Sequence, residues 1–453
     1  MSTMRQFLLC CCAGLFGCAS ETPSETPDGG TVTPGSDSGV VVPPAPETVE
    51  WTFKVVDEAN AGWQPEVAVS ASGRIGIAYF RSVGQRGVCS RIQDAPIGTY
   101  EIMYAEDSND FVPEEVATVD LINLSGLSLA FDDAGEPAIA YMGGAEGAYR
   151  CGGTDVMLAR RSGSTWSSNM LDSDGVATPV FQEDVDACAR YQNTCNAGGQ
   201  DVVGQWPALA FSGGQPAVAY RDIHFGFAQD DEEKSDLELS WNGRSTLDAT
   251  WGGGNQTRMV SPASGRLVLV HASPYATENG EGIWSMRYDG SAWSRAKVSG
   301  EVDLGYRLGI AARGDELAVA YHARADKKAF LVEGDADGFN SPTVLDQTGD
   351  TGRSPALAYD DTGRLGAAFY RCGPYRPNIS DCSITEDALV FGLRGSGGWK
   401  KYEVRAQRSF FDATQVALAF NGHSPVIAFQ TQAPDPSGGT VIRQVVVARG
   451  ELK

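Results

Sequence analysis

Residues 127–142 read LSLAFDDAGEPAIAYM: a short apolar run, a polar turn holding Asp132, Asp133 and Gly135, and a second apolar run closing on Tyr141. The phrase recurs at 65–80, 207–221, 257–272, 308–322, 355–370 and 416–430. Each copy reads as a β-hairpin whose turn needs a positive φ, which glycine takes without steric cost. Apolar residues fill both faces of these runs, the pattern of strands covered on both sides. A weaker phrase follows each pair: a strand, a Gly or Asp turn, then a Trp or Phe opening another strand. It is seen at 156–167, 284–294 and 388–400, and in part at 102–111. Four antiparallel strands repeated seven times predict an all-β fold, a seven-bladed β-propeller over residues 48–453.

The two ends supply an independent indication. The seventh copy ends at residues 441–450 with a third strand and no fourth, while Trp51 to Asp57 precede the first copy as a strand without a blade. Trp51 and the valines after it match Trp293 to Val298 and Trp399 to Val404, which are fourth strands. The N-terminal strand is therefore expected to complete the last blade and leave no open sheet edge.

Composition narrows the rest. The chain has 453 residues, 42% of them hydrophobic, with Lys+Arg 35 against Asp+Glu 58 and a formal net charge of -23. Such a charge repels phosphate backbones, which disfavours nucleic acid as a partner. Arg5 is the first charged side chain and Glu21 the next; between them Phe7 to Phe16 form an apolar run too short to span a bilayer, as expected of a secretory signal at 1–18. Residues 19–47 carry six prolines, many Thr, Ser and Gly, and no Lys or Arg. They read as a disordered tether without the means to build a core.

Leu15-Phe16-Gly17-Cys18 resembles the lipobox of bacterial lipoproteins, although Phe16 stands where that family has a small or β-branched residue. The resemblance implies a diacylglycerol on Cys18, and Ala19 after it implies sorting to an outer membrane, facing the periplasm or the exterior. The repeats resemble the sialidase-type (BNR-like) propellers of secreted bacterial proteins. That likeness covers the whole chain beyond the tether. It implies the fold and leaves the activity open, because propellers host enzymes, lectins and scaffolds alike.

In four-stranded blades the loops joining strands two and three, and one blade to the next, emerge on one rim. Here those connections vary in length, most of all at 172–205, while the loops of the other rim are uniformly tight. Variable loops on a rigid frame are where function collects. Cys89, Cys151, Cys188, Cys195, Cys372 and Cys382 all fall in the variable loops. An even set in an exported chain reads as disulfides, with 372–382, 188–195 and 89–151 favoured by proximity; a thiolate metal site wants closer spacings.

At the entrance to each innermost strand two residues are expected to face the channel mouth on that rim. The candidates for ligand binding are Trp63, Gln64, Gln205, Trp206, Gln256, Tyr306, Arg307, Arg353 and Gln415. Amides and guanidinium groups beside indoles suit sugar hydroxyls; the plainer alternative is a hydrated cap over the channel. One step further in, Glu66 and Arg258 stand where other copies carry small residues, as a channel-spanning pair or part of a site.

Sialidase chemistry would need an arginine cluster and a Tyr–Glu pair, and no such pairing stands out by spacing. Asp335 to Gly338 resembles half a calcium loop but aligns with plain turns elsewhere, and Asp230 to Glu233 reads as a solvated charge run. No metal, cofactor or catalytic residue is expected. The expected function is that of a monomeric, lipid-anchored, non-enzymatic binding module for a glycan or an envelope protein. A carbohydrate-active enzyme and a structural scaffold are the alternatives.

Overall fold

The computed structural model describes residues 42–89, 95–121, 124–143, 154–173, 202–223, 235–249, 252–263, 265–274, 280–305, 307–335, 338–372, 388–406, 415–433 and 442–453. Seven antiparallel sheets form the seven expected blades. Blade 1 runs Ala61–Val69, Ile75–Cys89, Ala95–Glu106 and Glu114–Leu121, each strand paired with the next. The innermost strands of blades 2 to 7 are Leu127–Phe131, Val202–Ser212, Asn255–Val260, Gly309–Arg313, Asp350–Tyr359 and Val416–Asn421. Blade 5 departs slightly: its outer edge is split into Gly338–Phe339 and Thr343–Asp346, both paired with Lys328–Asp335. Asp335 pairs with Gly338 there, while Asp337 of the calcium-loop resemblance lies outside the described residues.

Burial follows position in the blade. The second strands Pro137–Gly143 and Leu267–Ser273 are buried along their whole length, whereas the outer strand Thr165–Asp172 is largely exposed. The cores lie between neighbouring blades. Ile77, Tyr79 and Met103 of blade 1 pack on Ala428, Val445 and Val447 of blade 7, and Leu389 and Phe391 of blade 6 pack on Ile427 and Val446 of the same blade. A single blade cannot bury both of its apolar faces alone, so the repeats are stable only as neighbours.

The ring closes as the split repeat requires. Val49–Asp57 pairs antiparallel with Ile442–Leu452, from Val49 opposite Leu452 to Asp57 opposite Val445. The propeller's contacts begin before this strand. Residues 42–47, read from composition as the end of the tether, lie along blade 6: Ser396 N donates to Pro43 O at 3.2 Å, Tyr402 Oη donates to Pro46 O at 2.6 Å, and Lys400 pairs with Glu47 at 2.7 Å. Prolines have no N–H to offer, but their carbonyls remain good acceptors, so a proline-rich strap can dock against donors on a strand edge.

Trp51 anchors the closure by meeting Phe391 of blade 6 edge to face, with centroids 5.6 Å apart at 84°. Trp51→Ala is expected to lower stability by about 3 kcal/mol through the cavity left behind. Urea denaturation checks this; an unchanged midpoint would show that closure does not rest on this contact.

Candidate functional site at the channel mouth

The mouth is built from one backbone device repeated around the ring. Gln64, Gly126, Trp206, Gln256, Arg307 and Ser354 occupy equivalent positions and all have positive φ, from 49° to 101°. The ladder of four of the inner strands slips at this point, between Trp63 and Glu66, Gln205 and Ala208, Asn255 and Arg258, and Arg353 and Ala356. A bulge of this kind re-aims a side chain. Two residues earlier a glycine crosses the preceding blade: a Cβ on Gly62 would stand 2.9 Å from Gln444 O, and one on Gly204 3.0 Å from Asp155 O. The short crossover is possible only because nothing projects there.

The side chains so aimed fall into three groups. Gln64, Gly126 and Trp206 meet across blades 1 to 3, where a Cβ on Gly126 would find Gln64 Oε1 at 3.6 Å and Trp206 Cε3 at 3.7 Å. Gln64 and Gln256 repeat one contact: the Nε2 of Gln64 donates to Leu124 O, and that of Gln256 to Gly305 O at 2.9 Å. Each acceptor lies two residues before the positive-φ residue of the next blade, so these amides staple neighbouring blades. The Oε1 atoms of both glutamines are buried without a hydrogen-bond partner among the described residues.

The second group fills the channel. Arg258 grips Glu66 with both terminal nitrogens, at 2.8 and 3.3 Å, and Arg307 donates to the same carboxylate. Arg307 also reaches Pro65 O at 3.4 Å and Gln415 Oε1 at 3.5 Å. Glu66 and Arg258 are thus a channel-spanning pair, and Arg307, expected at the mouth, is 3% exposed and turned inward to join it. Burial and the neighbouring Arg258 pull its pKa down to about 9, with Glu66 opposing. The third group is engaged within or between blades. Gln205 accepts from Arg221 at 3.2 Å, and Arg353 pairs with Asp350 at 2.7 Å. Trp63 packs in the core between blades 1 and 2, with the Arg443 guanidinium 3.9 Å from its ring centroid.

Tyr306, Cys18, Cys151, Cys188, Cys195, Cys382 and the side chain of Cys89 lie outside the described residues, as does the run 230–233. Cys372 is buried and disulfide-bonded. Among the described residues no cluster of three His, Cys, Asp or Glu is placed to hold a metal ion.

A cavity of about 340 Å³ opens beside the mouth between blades 4 and 5. Asn255, Gln256, Asp303 and Arg324 supply its polar wall, and Pro274, Val302 and Leu304 much of its apolar one. Sequence reasoning picked out Gln256 and its neighbour Asn255; Asp303 and Arg324 sit at blade-to-blade and loop positions that carry no repeated signature.

Sequence reasoning also missed the acids that lock blade to blade. Tyr79 Oη donates to Asp57 Oδ2 at 2.8 Å, Tyr220 Oη to Asp172 Oδ2 at 2.6 Å, and His271 Nε2 lies 3.1 Å from Asp248 Oδ2. Each acid ends the outer strand of the preceding blade. The signal was present, since Asp57, Asp172, Asp248 and Asp346 each follow a Val or Leu at that position. At the blade 2–3 junction the device grows: Arg244 stands 2.9 Å from Asp172, 3.4 Å from Asp222 and 3.6 Å from Glu238, all buried. Burial raises the Glu238 pKa to about 8, against the pull of Arg244.

No protein-family model and no curated protein matches the chain. Solved structures similar to it include a protein of unknown function from Dyadobacter fermentans, 10% identical with a TM-score of 0.43, covering 89% of this chain and 99% of that one. The NanB sialidase of Streptococcus pneumoniae is 13% identical with a TM-score of 0.42, over 88% and 70%. A lectin of Aleuria aurantia, in complex with Fucα1-6GlcNAc, is 11% identical with a TM-score of 0.42, over 78% and 98%.

Two outcomes follow from this geometry. Glu66→Gln leaves two guanidinium groups in the channel without their carboxylate and is expected to cost about 3–5 kcal/mol, measured by chemical denaturation; a loss under about 1 kcal/mol would mean that water in the channel replaces the lost carboxylate. Glu238 is an acid whose folded pKa lies above its unfolded value near 4.5, so its contribution to stability falls as pH rises from about 4.5 to about 8 and is level beyond. Glu238→Gln should remove that component, so the parent-minus-variant difference in stability slopes only inside that window. A difference independent of pH would refute the assignment.

Proposed function

We propose that this chain is a cell-envelope lipoprotein, acylated at Cys18, whose propeller binds a glycan on its loop-rich rim without transforming it. The observation that carries the reading is the cavity between blades 4 and 5. Its volume falls in the range of small-ligand sites. An amide from Asn255, the Asp303 carboxylate and the Arg324 guanidinium offer donors and acceptors above an apolar wall of Pro274, Val302 and Leu304. Such a wall suits a sugar, whose hydroxyls need directional partners while its C–H face does not. The positive-φ bulge holds Gln256 in place through its bond to Gly305, so little order is lost when a ligand arrives.

The non-enzymatic reading draws on Glu66. Glycoside hydrolysis uses two carboxyl groups about 5–9.5 Å apart, one of them free to gain or lose a proton. The oxygens of Glu66 are engaged by two guanidinium groups of the frame, Arg258 and Arg307, which leaves neither directed at a ligand.

Asn255→Ala tests the site with little risk to the frame, because the Gln256 staple is left intact. On a glycan array with the full-length protein, the parent is expected to bind a defined set of glycans and the variant to lose them by at least about tenfold, with an unchanged melting temperature. A silent array with recovery of a stable envelope protein would replace the glycan by a protein partner. Release of sugar from a bound glycan would overturn the non-enzymatic reading.

A further inference from the structure

Blade 4 departs from blades 1 and 3 at the junction with its predecessor. Where Tyr79 and Tyr220 donate to an acid of the preceding blade, blade 4 carries His271, fully buried and 3.1 Å from Asp248 Oδ2. Its other ring nitrogen makes a contact that a phenol lacks the atom for: Nδ1 accepts a hydrogen bond from Gly254 N at 3.2 Å. A ring nitrogen that accepts from an N–H carries no proton of its own, so this imidazole is neutral, with its proton on Nε2 toward the acid.

Gly254 is the crossover glycine of blade 4. It has a φ of 80°, and a Cβ there would stand 2.9 Å from Asp236 O and 3.0 Å from the Cα of Arg221. Thr257 Oγ1 donates to its carbonyl at 2.7 Å, so His271 and Thr257 pin the peptide units on its two sides. The next residue is Asn255, which pairs with Ala272, and both line the cavity between blades 4 and 5. One side of that cavity therefore rests on an imidazole acceptor.

Imidazole is the side chain that ordinarily changes charge between about pH 5 and 8. Burial and the adjoining carboxylate push Tyr79 and Tyr220 upward, so those junctions keep their protons throughout that range. A proton added to His271 Nδ1 would set an N–H against the N–H of Gly254, turning a bond into a contact between two donors. The charged groups around the ring act in both directions. Asp248 supplies a counter-charge for an imidazolium, while Arg295 Nε lies 3.0 Å from the same carboxylate oxygen. Arg221, beside Gly254, is turned to Gln205 and Ser235. Across the cavity, His322 lies 3.0 Å from Asp350, which Arg353 shares.

We infer that His271 is a proton-sensitive latch on the crossover strand: neutral, it holds Asn255 in the cavity wall, and protonated it releases that strand, so that the site loses affinity in mildly acidic surroundings. The effect on binding rests on this cavity being the glycan site proposed above; the latch itself does not.

His271→Tyr gives blade 4 the junction of blades 1 and 3 and removes the titrating acceptor. Hydrogen exchange over residues 252–258 of the full-length protein, followed by mass spectrometry at about pH 7.5 and about pH 5.5, compares parent with variant. The ratio at each pH cancels the intrinsic exchange rate and the groups common to both proteins, among them His322 and Glu238, which burial raises to about 8. The parent-to-variant ratio is expected to rise at least about fivefold at the lower pH. His271→Asn, whose amide oxygen can take the place of Nδ1, gives the same comparison if tyrosine overfills the junction. On a glycan array the variant-to-parent affinity ratio should rise by a similar factor. An exchange ratio that does not change with pH would overturn the latch, and an affinity ratio that stays level while exchange responds would overturn its control of binding. A silent array counts against the glycan reading and not against the latch, which the exchange ratio decides.

Discussion

The pairing of Val49–Asp57 with Ile442–Leu452 is the constraint on which the rest depends. A propeller blade is stable because each of its faces lies against a neighbour, and a ring gives every blade two neighbours only if it closes. The N-terminal strand closes it with a ladder inside one sheet, so the seam is held by backbone hydrogen bonds in addition to side-chain packing. The proline strap before it and Trp51 against Phe391 extend the seam across blade 6. Separating the ends therefore means breaking one blade's ladder as well as a core.

Closure brings the inner strands together at a crowded axis, and the mouth geometry follows from that crowding. A strand entering the ring must cross the previous blade, which the glycines permit. It must then turn its side chains out of the ladder, which the positive-φ bulges accomplish. Polar side chains aimed by those bulges have two fates. Most are drawn into the frame, as with Gln64 and Gln256 bridging blades and Arg307 joining Glu66. What remains at the surface is the polar wall of the cavity between blades 4 and 5, lined by Asn255, Gln256 and Asp303. The same residues thus hold the frame and leave it a place to bind.

Much of the architecture was legible because it is written seven times. The hairpin phrase, its glycine turn and the aromatic at its close are local, period-two signals, and the orphan strand around Trp51 could be assigned by matching it to Trp293 and Trp399. The candidate mouth was legible as a set of positions but not as a site. The residues that interrupt the repeat at those positions were visible, yet whether a guanidinium such as that of Arg353 points to solvent or to Asp350 depends on a neighbour outside the repeated phrase. The junction acids Asp57, Asp172 and Asp248 were overlooked because each closes a different blade from the one whose tyrosine or histidine it meets.

The amino-acid sequence by itself determined the blade count, the strand order and the closure, since each rests on alternation and turn chemistry within a few residues or on copies that can be compared directly. Only the tertiary structure decided which polar groups are satisfied and which are left over. Glu66 meets Arg258 and Arg307 across separations of 192 and 241 residues, and no local pattern encodes that choice. Arg287 is the converse case: an ordinary strand residue in the sequence, whose Nε and Nη2 the fold buries without a hydrogen-bond partner among the described residues. Periodicity fixes which strands are neighbours, but the partners of individual side chains are set by the geometry of the closed ring.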